Sequence, residues 1–178
     1  MTLYNILAAY IAIMAAFFFF GGRASAQSSA QVSLGSFRRW SAVAATTANG
    51  KMCFAVSQPT ESSYPNNVKS RDPVYFMVTT IPGKKIQNEV STMIGYPFAE
   101  GSKVTVDIAS AEFTLFTKDS DAWIEDPNQQ PALVDAIRHG DKMTVQGTSR
   151  RGTTTIDSYS LVGSGGALDA ISKECSIQ

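Results

Sequence analysis

Residues 103–109 read Lys-Val-Thr-Val-Asp-Ile-Ala, and their strict alternation decides the fold class. Val104, Val106 and Ile108 fall on one side, with Lys103, Thr105 and Asp107 on the other. That is the pattern of a strand with one face in a core and one in water. The same period returns at residues 112–117 through Phe113 and Leu115, and at 142–147 through Met143 and Val145. Working outward, strand-like runs occupy residues 37–45, 51–57, 73–80, 86–94 and 153–162, and Trp123-Ile124 opens a shorter one. Turn signals separate them: Asn49-Gly50, Pro82-Gly83-Lys84-Lys85, Gly95-Tyr96-Pro97 and Arg150-Arg151-Gly152. Residues 59–72 read as a polar loop.

Two segments break this rhythm. Residues 131–139 place Leu133, Val134 and Ile137 at helical spacing, with Pro131 near the start and Gly140 past the end. Residues 166–175 place Leu168, Ile171 and Cys175 on one helical face. Eight or nine short strands with two small helices, and no alternation of strand and helix, argue for a mainly β domain, a sandwich or barrel.

The start of the chain reads differently. Residues 6–20 are apolar, uncharged and followed by Ala24-Ser25-Ala26, the small-residue pattern of a signal-peptidase site. Fifteen helical residues reach only about 22 Å, short of a ~30 Å hydrocarbon core. The expected division is a cleaved secretory signal over 1–26, a small and polar leader over 27–35, and one β domain over 36–178. Cleavage would remove Arg23 from a chain with 15 basic and 15 acidic residues, leaving a net charge of −1. Such a balance gives no broad electrostatic attraction for nucleic acid. No later apolar run is long enough to span a membrane.

Cys53 and Cys175 are the only cysteines. In an oxidising compartment an even pair reads as a disulfide, and its long loop would be worth up to ~4–5 kcal/mol in the chain-entropy model. Met52, Phe54 and Val56 form one apolar face of the second strand, Cys53 and Ala55 the other. The bond is therefore expected to staple the terminal helix across the outside of the sheet.

The search for chemistry yields candidates rather than a catalytic set. His139, the single histidine, sits in the last turn of the first helix, where it can meet the negative end of the helix dipole. Asp157 shares a strand face with Tyr159 and Leu161, so its carboxylate needs turn amides or an arginine as partner. Asp119, Asp121, Glu125 and Asp126 surround Trp123 without the ligand spacing of a calcium loop. Gly163-Ser164-Gly165-Gly166 lacks the strand–helix–strand context and the lysine of a phosphate-binding loop, and reads as a connection with Ser164 near the helix cap. No metal ligand set and no cofactor motif is expected. Basic pairs stand at Arg38-Arg39, Lys84-Lys85 and Arg150-Arg151. Were two of them to meet at one end of the domain, they would make a small anion-binding patch, with Lys84, Lys85, Arg150 and Arg151 as candidates.

Several elements, taken in order, resemble one family. They are Trp40, Lys51-Met52-Cys53, Gly95-Tyr96-Pro97, Trp123, Leu133-x-x-Ala136, Gly140-x-x-Met143-x-Val145-x-Gly147, Arg151-Gly152-Thr153, Asp157-x-Tyr159-Ser160-Leu161 and Cys175. Together the pattern is similar to that of the invasion-associated locus B family. The resemblance implies an immunoglobulin-like β-sandwich exported to the bacterial envelope, periplasmic or secreted. The family is named for entry into red cells, although many members belong to bacteria that invade nothing, and it brings no catalytic residues to carry over. The expectation is a non-enzymatic binding protein with a macromolecular envelope or host-surface partner. The alternative is a small periplasmic enzyme or ligand carrier with its polar site near Asp157, Tyr159 and His139.

Overall fold

The computed structural model describes residues 31–47, 50–64 and 71–176. The expected signal segment and its cleavage site lie outside the described residues, as does Asn49 of the first hairpin signal. Among the described residues eleven strands are present: β1 (Gln31–Phe37), β2 (Trp40–Thr47), β3 (Gly50–Ser57), β4 (Glu61–Ser63), β5 (Tyr75–Ile81), β6 (Ile86–Met93), β7 (Lys103–Ile108), β8 (Ala111–Lys118), β9 (Asp121–Ile124), β10 (Lys142–Thr148) and β11 (Thr154–Ser160). Two helices, α1 (Gln130–His139) and α2 (Ser164–Glu174), complete the domain.

All the strands join one antiparallel sheet in the order β1-β2-β3-β5-β6-β9-β8-β7-β10-β11-β4. The sheet folds on itself. Phe76 of β5 meets Tyr159 of β11 edge-on at 5.8 Å, although five strands separate them in the sheet order. The Trp40 indole N–H of β2 donates to the Ser160 carbonyl of β11 at 3.0 Å, although seven strands separate those two. The fold is therefore mainly β with two helices, as expected. Its two facing layers are halves of a continuous sheet rather than separate sheets.

Alternation sets the inner face. Trp40, Ala42 and Ala44 register with Ser57, Ala55 and Cys53, and these with Phe76, Val78 and Thr80. All nine are buried. In the other half Val104, Val106, Met143, Val145 and Tyr159 close the same core. Each large apolar side chain so buried contributes about 1.5–3 kcal/mol relative to exposure.

The Cys53–Cys175 disulfide is present, with Cα atoms 5.9 Å apart. The helix it holds lies on the Cys53 and Ala55 face, as expected, but that face is the inner, core side of the sheet and not its outside. Ala167, Leu168 and Ile171 of α2 are buried against the inner face of β2 and β3. Ala42, Ala44 and Ala55 are small enough to admit a helix there, so the small residues and not Met52, Phe54 and Val56 face the core.

Three boundaries differ from the sequence reading. The leader was expected to reach Gly35, but β1 begins at Gln31, because an edge strand needs only backbone pairing to β2 and its small polar side chains do not oppose that. Residues 37–45 are not one strand. Arg38 takes φ 59° and the chain turns at Arg38-Arg39 between β1 and β2, without the glycine or asparagine that marks such a turn. The polar loop contains β4, which pairs with β11 at the far edge of the sheet.

Candidate functional site

Alternation along β11 turns Thr155, Asp157 and Tyr159 inward, and Asp157 is completely buried. Its partner comes from the segment just before β5. Arg71 Nη1 donates to Asp157 Oδ2 at 2.9 Å, and Nη2 closes a second bond to Oδ1. β4 pairs Ser62 directly with Asp157, and the Ser62 hydroxyl donates to Oδ1 at 2.6 Å while accepting from Arg71 Nη2 at 2.8 Å. Arg71 Nη1 also reaches the Ile94 carbonyl and Thr155 Oγ1, each at 3.4 Å. The Tyr64 ring lies 5.6 Å below the guanidinium.

Two phenols border this pair. Tyr96 shares a hydrogen bond with Thr155 at 2.7 Å, and burial still raises its hydroxyl above the ordinary tyrosine range. Burial, and then the Asp157 charge, push the Tyr159 hydroxyl far upward. That hydroxyl is buried without a hydrogen-bond partner among the described residues, and the Thr92 hydroxyl beside it donates instead to the Tyr75 carbonyl at 3.0 Å. Above Arg71 the surface opens into a depression of about 310 Å³ between Gln58, Ser62, Tyr64 and Val74. Both carboxylate oxygens and both terminal guanidinium nitrogens are engaged, so the centre ties the β4 edge to the core.

His139 does not join Asp157 and Tyr159. It is exposed at the end of α1, with Nδ1 3.1 Å from Asp135 one turn earlier. Ser164 stands near the helix cap as expected, as the first residue of α2 after the N-cap Gly163, but its side chain makes no capping bond. It is buried and donates to the Ile137 carbonyl at 2.6 Å, binding α2 to α1, while Gly163 takes φ 99° as the first residue of the helix approach. Asp126 caps a short 3-10 turn through the Asn128 amide, and Glu125 pairs with Lys103. No group of three His, Cys, Asp or Glu among the described residues is arranged to hold a metal ion.

The basic pairs are held apart. Lys84 and Lys85 occupy the turn before β6, whereas the Arg150 amide bonds to Pro97 beyond its far end. Eight residues of β6 separate them, roughly 26 Å. Arg38 lies against Gly163, past the end of β11, while Arg150 and Arg151 precede its start. The anion patch expected from two meeting pairs is therefore not assembled. Arg150 and Arg151 remain exposed at a hairpin tip, with no ion pair among the described residues.

Trp40 enters the core, whereas Trp123 faces outward and stacks on Phe116, ring centroids 5.7 Å apart. Thus the folded sheet, the terminal disulfide and the inward Asp157-x-Tyr159 all coincide with the elements singled out in the sequence. The model for the invasion-associated locus B (IalB) family matches residues 40–172, most of the chain. The protein belongs to the IalB family. No curated protein and no solved structure matches it. Within this IalB chain no helix among the described residues is long and apolar enough to cross a membrane. The residue that sequence reasoning missed is Arg71. Its only signal was the inward Asp157, which required a cation from elsewhere in the chain.

Proposed function

We propose that this IalB protein is exported, is cleaved after Ala26, and acts outside the cytoplasm as a non-enzymatic binding protein of the cell envelope or medium. One contrast supports this reading above the others. The charged groups turned into the core are committed to each other, Arg71 with Asp157, whereas Arg150 and Arg151 stand in water without an ion pair among the described residues. Two guanidiniums on one turn suit an anionic macromolecular surface, through charge-assisted and bidentate contacts that lysine reproduces poorly. The disulfide favours an oxidising compartment. The alternative, an enzyme or carrier using Asp157, Tyr159 and His139 together, loses ground because His139 lies on the surface away from the other two.

Fractionation of expressing cells into cytoplasm, envelope and medium, with N-terminal mass spectrometry, tests the export. A chain retaining Met1 in the cytoplasm would overturn it. For binding, the Arg150→Ala/Arg151→Ala variant is compared with the parent for retention on isolated envelopes at low and high salt. Salt-sensitive loss of retention with stability unchanged within about 0.5 kcal/mol is expected. Equal retention at low salt would remove these arginines from the binding role.

A further inference from the structure

The alternation that buries Trp40, Ala55 and Phe76 sends a second set of side chains to the water side of the same strands. There Val56, Met77, Ser91, Trp123 and Phe116 register in one unbroken row across β3, β5, β6, β9 and β8. Phe54 and Met93 extend the row above and below. Met93 and Phe116 are 36% and 41% exposed, and the others are half-buried, except Ser91, which is buried. The helix α2 packs on the inner side of this half, not here. Among the strand residues of this face only Glu89, opposite Thr79, places a charge away from its ends. A contiguous apolar face of this extent marks an interaction surface.

We propose that the face joins two copies of this chain about a two-fold axis. The distribution of charge at its ends selects a second copy as the occupant. Exposed Lys84 and Lys85 stand at the β5–β6 turn, without an ion pair among the described residues. Asp119 and Asp121 stand at the opposite end of β6, where Met93 registers with Asp121. They too form no ion pair among the described residues. Lys118 of β8 registers with Asp121, so this corner carries two carboxylates and one lysine, and burial, and then Asp119, raise the Asp121 carboxyl above its usual range.

A two-fold axis lying in the contact plane and running across the strands exchanges the two ends of the face. It brings the lysines of each copy over the aspartates of the other and lays one apolar row on the other. The face is thus self-complementary in charge and in polarity. The net charge, zero for the full chain and −1 once Arg23 is removed, adds little overall repulsion. Size agrees as well. Seven neighbouring strands from β1 to β8 span about 29 Å, and a seven-residue strand about 23 Å. With side-chain relief included, such a face reaches the scale of a standard interface, ~800 Å² per partner.

Sedimentation equilibrium of the purified chain over a wide concentration range tests the inference. A reversible dimer is expected. Met77→Glu, at the middle of the row, should abolish it while leaving the melting temperature of dilute protein unchanged, since this side chain is not in the core. Lys84→Glu/Lys85→Glu and Asp119→Lys/Asp121→Lys should each weaken the dimer by roughly tenfold, and combining them should restore it. A chain that stays monomeric throughout would overturn the inference. So would a dimer indifferent to Met77→Glu, or a combined charge reversal no stronger than either half. A monomer whose retention on envelopes is lost with Met77→Glu would assign the face to another partner and equally overturn it. Arg150 and Arg151 lie outside this face, so their double alanine variant should dimerise normally, which separates this inference from the proposed binding role.

Discussion

Arg71 and Asp157, 86 residues apart along the chain, close on each other inside the core through both guanidinium arms and both carboxylate oxygens. Removing one partner of such a pair leaves a charge that the interior cannot solvate, and typically costs about 3–5 kcal/mol. Arg71→Met should therefore destabilise the domain by that amount in urea denaturation. Replacing Asp157 with leucine in the same chain should recover most of the loss. An Arg71→Met protein as stable as the parent would show that the pair does not hold the β4 edge.

Tyr159→Phe should behave in the opposite sense. The hydroxyl it removes is buried without a hydrogen-bond partner among the described residues, while the ring keeps its contact with Phe76. Leaving such a group unsatisfied costs about 1–3 kcal/mol, so the variant should unfold at equal or higher denaturant concentration. A clear loss of stability would indicate that an ordered water serves the hydroxyl.

Two glycines with similar backbone angles should respond very differently to alanine. Gly152 takes φ 78° with open space where a Cβ would stand, so Gly152→Ala should cost about 1 kcal/mol from backbone strain alone. Gly163 takes φ 99°, and a Cβ there would fall 2.0 Å from the Phe37 carbonyl oxygen. Gly163→Ala must push β1 from the start of α2 and should cost several-fold more. Thermal melts of the two variants, side by side, give the comparison.

Asp121 gives a pH signature with a definite sign. Its folded carboxyl titrates above the ordinary aspartate value of 3.8, so the native state holds the proton more tightly than the unfolded chain. The stability this group contributes is fully present below pH 3.8 and is lost as the pH rises through the folded value. Asp121→Asn should accordingly raise the melting temperature of dilute protein at neutral pH and leave it unchanged below pH 3.8. A gain that persists in acid would mean that ionisation is not the cause.

The sequence showed the inner face of β7, β8, β10 and β11 directly, because Val104, Phe113, Met143 and their successors alternate with polar residues. Both helices and the disulfide were equally plain. That the face receiving α2 is the core side was not, since Met52, Phe54 and Val56 look more like a core face than Cys53 and Ala55. Space for a helix, not hydrophobicity, decided between them. Arg38-Arg39 hid a hairpin because the turn uses a left-handed arginine. Arg71 was invisible for another reason. A contact across 86 residues leaves no local period, and a charged residue within a polar stretch draws no attention.

The bond from Cys53 to Cys175 spans 122 residues and encircles every strand from β4 to β11. One consequence concerns damage rather than folding. A protease that cuts the backbone once anywhere within that circle severs no piece from the molecule. The two fragments stay one covalent body, so a nicked chain keeps its mass and, where the packing survives, its surfaces. Only when a reductant opens the bond do the fragments part. The same digest should therefore run as one species on a non-reducing gel and as two on a reducing gel.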